Sequence, residues 1–320
     1  MSQKIFELHP LIFQYLRRIS LQDRLPSAFL FYGPRGVGKF EFAIEFCRFL
    51  FCESYPQSPC EKCKTCRLIE KKQFPEVRAV DFQTIKKGSD KIIERAREIR
   101  REAAFQPVFF KKKVFILRNI EFLSPEAANA LLKILEEPPP WCYFILTTDK
   151  FYSLLDTIIS RCWKIYFPPV RREIGENFIR EKYNVDKLFA REIYLLTEGR
   201  IFTAMEFMDD EHIKEQKDIL KIFFSHSVPE VKRIERDSFR NILIFLIKFF
   251  KDVVLYKGGR EEHYIFHPLK TQIATISSAL SFQKIFDIID AIFATAALWE
   301  SINVRLAIVN LWEAIQCPDR

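Results

Sequence analysis

The chain has 320 residues, of which 48% are hydrophobic and 29% are charged, and its formal net charge is +8. This balance excludes an intrinsically disordered chain and is typical of a soluble protein with two or three domains, each with its own core. The positive charge favours a polyanionic partner without requiring one.

The sequence predicts no membrane segment and no secretion signal. Its first residues carry charges where a signal peptide would have its apolar core. The longest apolar run, 242–250, contains Lys248 and falls short of the roughly 18 residues that a membrane span needs. We therefore expect a cytoplasmic protein, whose eight cysteines serve as metal ligands or buried thiols rather than disulfides.

A glycine-rich turn follows an amphipathic helical pattern at 4–25 and a short apolar strand that begins at Phe29. The turn fits a P-loop, in which backbone N–H groups and a helix N-terminus cradle phosphates and a lysine reaches the outer ones. The residues that fit this pattern are Gly33, Gly36, Gly38 and Lys39. The next position should be Ser or Thr, whose hydroxyl ligates magnesium, but it is Phe40. Two interpretations stay open: a loop with residual nucleotide affinity, and a strand-to-helix turn that binds no ligand.

Four cysteines lie close together after the next helix, which should end near residue 52. They are Cys52, Cys60, Cys63 and Cys66. Two overlapping Cys-x-x-Cys pairs and a fourth cysteine supply the tetrahedral thiolate set that zinc prefers, with no vacant position for a catalytic water. The segment 52–66 is therefore predicted to bind a structural Zn²⁺, and the alternative is a chance cluster of unligated cysteines. His263 and His267 lack ligand companions apart from the acidic pair before His263, and they predict no second metal site.

Short apolar segments alternate with helical patterns up to residue 167. The predicted strands and helices after the cysteines are, in order, strand 77–82, helix 89–102, strand 113–117, helix 125–138 and strand 141–148. This alternation predicts an α/β domain with a parallel sheet over residues 1–167. In a P-loop ATPase the strand at 113–117 would end in acidic residues that hold magnesium and activate water, but Arg118 and Asn119 follow it here.

The residues after Pro168 and Pro169 show helical patterns without strands. The two prolines predict a hinge, followed by a small helical domain at 168–210 and an all-helical domain at 211–320. The segment 239–255 is apolar on almost every side, and a further apolar run extends over 285–315. A helix that is apolar all round has to be buried, so these helices require neighbours from the same chain or from other chains.

The motifs come in the order found in bacterial DNA polymerase III clamp-loader subunits of the AAA+ superfamily, which the chain resembles. The most specific parts are Asn-Ala-Leu-Leu-Lys-Ile-Leu-Glu-Glu-Pro-Pro at 129–139 and Ser-Arg-Cys at 160–162. The resemblance implies a P-loop AAA+ parallel-sheet domain with a zinc-binding insertion, followed by a small helical lid and an all-α oligomerisation collar.

Two subunit types share this pattern: the gamma/tau ATPase, and the delta-prime subunit, which keeps the fold and the Ser-Arg-Cys arginine but usually has a degraded ATP site. Phe40, Arg118 and Asn119 depart from the ATPase pattern. Phe202 departs as well, because the ATPase lid carries an arginine at the matching place. These departures favour a resemblance to delta-prime. The alternatives are a gamma/tau-like ATPase with unusual magnesium ligation and a free-standing zinc-containing nucleic-acid-binding protein.

The resemblance implies a subunit that hydrolyses no ATP itself and completes the ATP site of a neighbouring subunit. Arg161 would be the arginine finger supplied in trans, with Ser160 and Cys162 positioning it. Binding of ATP or ADP to the degenerate P-loop is left open. The implied partners are gamma/tau and delta subunits and, through the complex, the sliding clamp and primed DNA, with no membrane. The alternative for Arg161 is a pairing with a local carboxylate such as Asp156.

Overall fold

The computed structural model of the protein describes residues 2–22, 24–57, 59–85, 89–185, 187–203, 219–224, 236–259, 269–298 and 301–316. The chain forms two compact units, one of Met1–Val185 with Thr197–Thr203 and one of Asp186–Leu196 with Ala204–Arg320. Within the described ranges, no helix has the length and apolarity needed to cross a membrane.

The first unit contains a five-stranded parallel sheet. Its strands are β1 (Ala28–Tyr32), β2 (Val77–Asp81), β3 (Lys113–Arg118), β4 (Cys142–Thr148) and β5 (Trp163–Tyr166). They lie in the order β2-β3-β4-β1-β5, and each neighbouring pair is parallel. The predicted parallel α/β fold is therefore confirmed. The sequence does not predict β5 as a separate strand, because a run of four residues is too short to show a clear period.

The helices of this unit are α1 (Ser2–Leu8), α2 (Pro10–Leu21), α3 (Lys39–Phe51), α4 (Lys64–Glu70), α5 (Ser89–Ala104), α6 (Pro125–Glu136), α7 (Asp156–Ile159) and α8 (Arg172–Tyr183). The helical pattern predicted at 4–25 forms two helices, which meet at His9. Pro10 lacks the N–H that a continuous helix would use, and it disfavours helical backbone at the residue before it. His9 accordingly lies outside the helical region, with φ −135° and ψ 62°, and Pro10 begins α2.

Helices cover both faces of the sheet. On one face α5, α6 and α7 pack on side chains that include Leu30 and Phe144. On the other face α1 to α4 pack on side chains that include Phe31 and Ile116. The middle strands are therefore buried on both sides, as the apolar run at 113–117 predicts. Because the strands are parallel, their carboxyl ends meet at one edge of the sheet, where ligand sites of such folds lie.

The second unit is helical in its described residues. The helices that follow α8 in the described residues include α9 (Lys187–Thr197), α10 (Arg236–Lys257), α11 (Lys270–Ala279), α12 (Phe282–Ala297) and α13 (Val304–Gln316). The apolar helix α10 packs against α11 and α12, and α12 packs against α13. The apolar run at 285–315 forms two helices, because Asn303 begins α13 by accepting hydrogen bonds from the N–H groups of Arg305 and Leu306.

The predicted helical domains at 168–210 and 211–320 include residues outside this description. Those residues are 186, 204–218, 225–235, 260–268, 299–300 and 317–320, and among them are His263 and His267. The small lid and the collar, as separate domains with these boundaries, remain predictions.

Candidate functional sites

The P-loop residues predicted from the sequence lie together between β1 and α3. Gly38 immediately precedes α3 and has a left-handed φ of 94°, which glycine adopts without strain. Gly36 likewise has a φ of 81°. The loop therefore runs directly into the N-terminus of α3, which is the arrangement of a phosphate-binding loop.

Lys39 is buried, and its ammonium group is bound by its own chain. Nζ donates to the carbonyl oxygens of Gly33 (2.8 Å) and Pro34 (2.7 Å) and to Oδ1 of Asp149 (2.7 Å). An ammonium group has three donors, so these three acceptors use all of them. Burial lowers the pKa of Lys39, and the hydrogen bond that Lys39 donates to Asp149 partly opposes that shift. Asp149 thus supplies the anionic partner that a phosphate supplies in a nucleotide-binding P-loop.

Asp149 and Glu121 are site residues that the sequence analysis missed. Asp149 directly follows β4, and its N–H donates to Oε1 of Glu121 at 3.4 Å. The other carboxylate oxygen of Glu121 is buried without a hydrogen-bond partner. No local sequence pattern shows this contact, because it follows from strand order: β4 pairs with β1, so an acidic residue just after β4 lies beside the loop just after β1. The negative charges of both carboxylates raise the pKa of Lys39, against the larger lowering by burial.

Phe202 fills the space in front of the P-loop glycines. The turn at Ile201–Thr203 brings its N–H to the carbonyl oxygen of Gly36 at 2.9 Å. A side chain at Gly38 would collide with the ring of Phe202, and one at Gly36 would come within 2.5 Å of Thr203 Cγ2. The sequence identified Phe202 as the replacement of an arginine. In the structure, the Phe202 ring also occupies space directly beside Gly38 of the loop.

The other departures from the ATPase pattern also contact one another. The guanidinium carbon of Arg118 lies 4.9 Å from the centre of the Phe40 ring, and its Nη1 lies 3.4 Å from Oδ2 of Asp81. The side-chain amide of Asn119 donates to Oδ1 of Asp81 at 2.9 Å and to Oε1 of Gln83 at 3.1 Å. Both oxygens of Asp81 are therefore engaged. An arginine cation also lies over Phe40, the position whose hydroxyl would bind magnesium in an ATPase.

The four predicted zinc ligands converge in space. Their Sγ atoms all lie within 4.8 Å of one another, and the residues are Cys52, Cys60, Cys63 and Cys66. Tetrahedral Zn–S bonds of about 2.3 Å place sulfur atoms roughly 3.8 Å apart, so small side-chain shifts suffice to bind the metal.

Backbone N–H groups surround the same sulfur atoms. The N–H of Cys60 donates to Sγ of Cys52, that of Cys63 to Cys60, and that of Cys66 to Cys63, at 3.3, 3.3 and 3.4 Å. Hydrogen bonds of this kind favour the thiolate, and those from the backbone, above all from Cys63, lower the pKa of Cys60 to about 6. Burial raises the pKa of Cys66, a penalty that a bound cation would offset. The donor set therefore fits a structural Zn²⁺ held by four thiolates.

Three further cysteines are buried thiols. They are Cys47, Cys142 and Cys162. Burial raises the pKa of Cys142 to about 11 and that of Cys162 to about 12, so both stay protonated at neutral pH. The buried Cys162 ties the chain just after Arg161 to the core on the α6 side of the sheet.

The Ser-Arg-Cys segment places Arg161 between α7 and β5. Nη1 of Arg161 donates to the carbonyl oxygen of Thr157 at 2.8 Å and lies 3.4 Å from Oγ of Ser160. Its Nη2 lies 2.5 Å from Oε1 of Glu136, and 33% of the arginine side chain remains exposed. The carboxylate that pairs with Arg161 thus comes from the end of α6 and not from Asp156, the candidate suggested by the sequence.

The parallel sheet, the glycine-rich loop between β1 and α3 and the four-cysteine insertion define a parallel α/β protein with a P-loop-like turn. The fold is similar to the crystal structure of a DNA polymerase III gamma subunit-related protein from Thermotoga maritima. The TM-score is 0.51 at 18% sequence identity, and the match covers 95% of this chain and 98% of the other.

Residues 8–171 match the family described as DNA polymerase III, delta subunit. This segment is just over half of the chain, and the chain belongs to that family. It is 28% identical over 317 residues to DNA polymerase III subunit delta' of Bacillus subtilis, with 93% of each chain covered. It is also 32% identical over 213 residues to subunit tau of the same organism, but spans only 37% of the length of tau. The predicted resemblance to bacterial delta-prime subunits is therefore confirmed.

Proposed function

We propose that the protein is the delta-prime-type subunit of a DNA polymerase III clamp loader in the cytoplasm. In this proposal it hydrolyses no ATP and supplies Arg161 to the ATP site of a neighbouring ATPase subunit. Its partners are gamma/tau and delta subunits, and the complex places a sliding clamp on primed DNA. Similarity to both delta' and tau of Bacillus subtilis supports an assembly of this kind.

The observation that carries the non-hydrolysing role is the filled P-loop. The donors of Lys39 are all used by its own chain, and the Phe202 turn bonds to Gly36. A phosphate would have to displace Asp149 and Phe202. Magnesium would meet the Arg118 guanidinium where an ATPase offers carboxylates. These contacts support a loop that keeps the P-loop geometry as a structural turn.

The chemistry of Arg161 supports its role in trans. A guanidinium is always charged and offers planar donors that match phosphate oxygens. Fixed donors of this kind stabilise the negative charge that develops on the transferred phosphoryl group. The backbone carbonyl of Thr157 and the hydroxyl of Ser160 hold the guanidinium at the surface, where a neighbouring subunit can reach it.

The zinc site would stabilise the insertion without taking part in chemistry. The four cysteines complete a tetrahedral shell, so a bound Zn²⁺ would have no position for water or substrate. One end of the insertion follows α3 directly, and α4 packs on α3. The metal would therefore cross-link the chain beside the helix that begins at the P-loop.

The C-terminal unit supports assembly with other chains. Phe282, Phe286 and Phe293 recur at helical spacing on one face of α12 and are 43%, 50% and 54% exposed. The isoleucines on the opposite face of the same helix are buried. A helix that is apolar on both faces but covered on one is expected to contact a partner. This stripe lies within the proposed collar at 211–320.

The test is the ATPase rate of the reconstituted clamp loader with clamp and primed DNA. An arginine finger in trans contributes roughly 10³ to 10⁵ in turnover, so Arg161→Ala should silence one ATP site while the chain stays folded and assembled. The matched control is Arg172→Ala, which removes another exposed arginine paired with a glutamate on its own helix. Unchanged turnover with Arg161→Ala would show that the proposed function is wrong.

The isolated chain gives a second, independent result. It should hydrolyse no ATP, because Phe40, Arg118 and Asn119 leave magnesium without its usual ligands. Turnover of about 1 per second, abolished by Lys39→Ala, is within the range of ordinary enzymes. That result would identify a gamma/tau-like ATPase instead.

A further inference from the structure

The carboxylate of Glu136 and the guanidinium of Arg161 form a close ion pair across two helices. Glu136 is the last residue of α6, and Arg161 follows α7, which packs on α6. The side chains are 43% and 33% exposed, respectively. A pair this exposed contributes little to the stability of the fold. The main effect of the pair is to fix the position of the Arg161 guanidinium.

Three acceptors fix one side of the Arg161 guanidinium. They are the carbonyl oxygen of Thr157, the hydroxyl oxygen of Ser160 and the carboxylate of Glu136. A guanidinium has five N–H donors in a rigid plane, so two remain for a further acceptor. Arg161 can therefore hold its own chain and an external anion at the same time.

We propose that Glu136 is the positioning residue for Arg161, which rests on the proposed arginine-finger function. Glu136 holds the guanidinium in one orientation before the neighbouring ATP site contacts it. The arginine side chain therefore loses less conformational entropy when the subunits associate. The pair persists while the remaining donors face the phosphate. Glu136 touches neither the phosphate nor the attacking water, and acts through Arg161 alone.

The backbone around Glu136 makes it suitable for this role. The N-terminus of α6 is fixed by Ser124, whose hydroxyl accepts from the N–H of Ala127 at 3.2 Å. At the other end the N–H of Glu137 donates to the carbonyl oxygen of Lys133 at 3.3 Å, and prolines follow. The Glu136 carboxylate thus extends from a helix that is held at both ends.

The experiment compares Glu136→Ala, Glu136→Gln and the matched control Glu137→Ala in the reconstituted clamp loader. Glu137 is the adjacent exposed carboxylate, so its loss changes charge without touching Arg161. Glu136→Ala should lower kcat of the assembly by about 10 to 10²-fold, the cost of misplacing a catalytic group by about 1 Å, with KM for ATP nearly unchanged. Glu136→Gln keeps an acceptor oxygen and should recover most of that loss.

A second measurement follows the guanidinium itself in the isolated chain. In ¹⁵N-labelled protein, the Arg161 N–H groups should exchange with water faster in Glu136→Ala than in the wild type or in Glu137→Ala. If Arg161→Ala lowers turnover but Glu136→Ala changes neither kcat nor exchange, Glu136 has no positioning role. If Arg161→Ala itself leaves turnover unchanged, the proposed function fails first, and the two failures are distinguishable.

Discussion

Lys39 of the P-loop and Arg161 of the Ser-Arg-Cys segment are two cations that bind the same number of acceptors but differ in how many N–H donors remain. Each is bound by two uncharged oxygens and one carboxylate of its own chain. Three acceptors saturate an ammonium group, whereas a guanidinium keeps two donors. Lys39 is 6% exposed and Arg161 is 33% exposed. The same protein thus carries one basic group committed to the fold and another still able to bind an external anion.

The largest expected effect comes from changing the shape of the exposed cation. Arg161→Lys keeps the charge but removes the planar fork, and its three donors would be used by the three acceptors already present. Turnover of the reconstituted assembly should therefore remain roughly 10² or more below the wild type, close to that of Arg161→Ala. The steady-state ATPase rate measures this. Recovery of turnover to near the wild-type rate would mean that positive charge alone is sufficient at this position. The number of remaining donors would then not explain the difference between Arg161 and Lys39.

Replacing the buried Lys39 should have a moderate effect, on the stability of the chain rather than on the turnover of the assembly. Lys39→Met keeps the volume but leaves Asp149 without its partner, which should lower the free energy of unfolding by about 1–3 kcal/mol. Urea denaturation measures this, with Lys150→Met, an exposed neighbour, as the control. The ATPase rate of the assembly with Lys39→Met should match the wild type. A loss of turnover at unchanged stability would show that Lys39 serves a nucleotide.

Removing zinc should have the smallest effect on the contribution of Lys39 to stability and on that of Arg161 to turnover. Elemental analysis should find one zinc per chain. Chelation should expose the four ligand thiols without changing the stability due to Lys39 or the turnover due to Arg161. In the zinc-free protein the lowered pKa of Cys60 predicts that its thiolate forms as pH rises through about 6. Alkylation of Cys60 should therefore increase over that range, whereas Cys142, with a pKa raised to about 11, stays unreactive. A metal content near zero with four freely reactive thiols would contradict the site.

The features predicted correctly from the sequence depend on short spacing. The four cysteines, the P-loop glycines and the strand-helix alternation are each visible within a window of a few residues, because local periodicity and ligand spacing determine them. The departures Phe40 and Arg118 are visible in the same way. These positions were enough to predict the fold, and the degenerate loop stays a prediction.

The features that the sequence missed depend on distant residues or on a local break. Asp149 meets Lys39 across 110 positions, and this contact follows from strand order, which no local pattern contains. Glu136 reaches Arg161 only because α6 and α7 pack together. The break at His9 has a local cause, since Pro10 disfavours helical backbone at the residue before it.

The exposed phenylalanines of α12 also bear on how much of this protein a cell can hold. Unassembled copies display apolar surface of the kind that chaperones and proteases act on and that promotes aggregation. Survival of each copy would then depend on finding a partner soon after synthesis. The supply of partner subunits would set the amount of this chain, and any surplus would be removed.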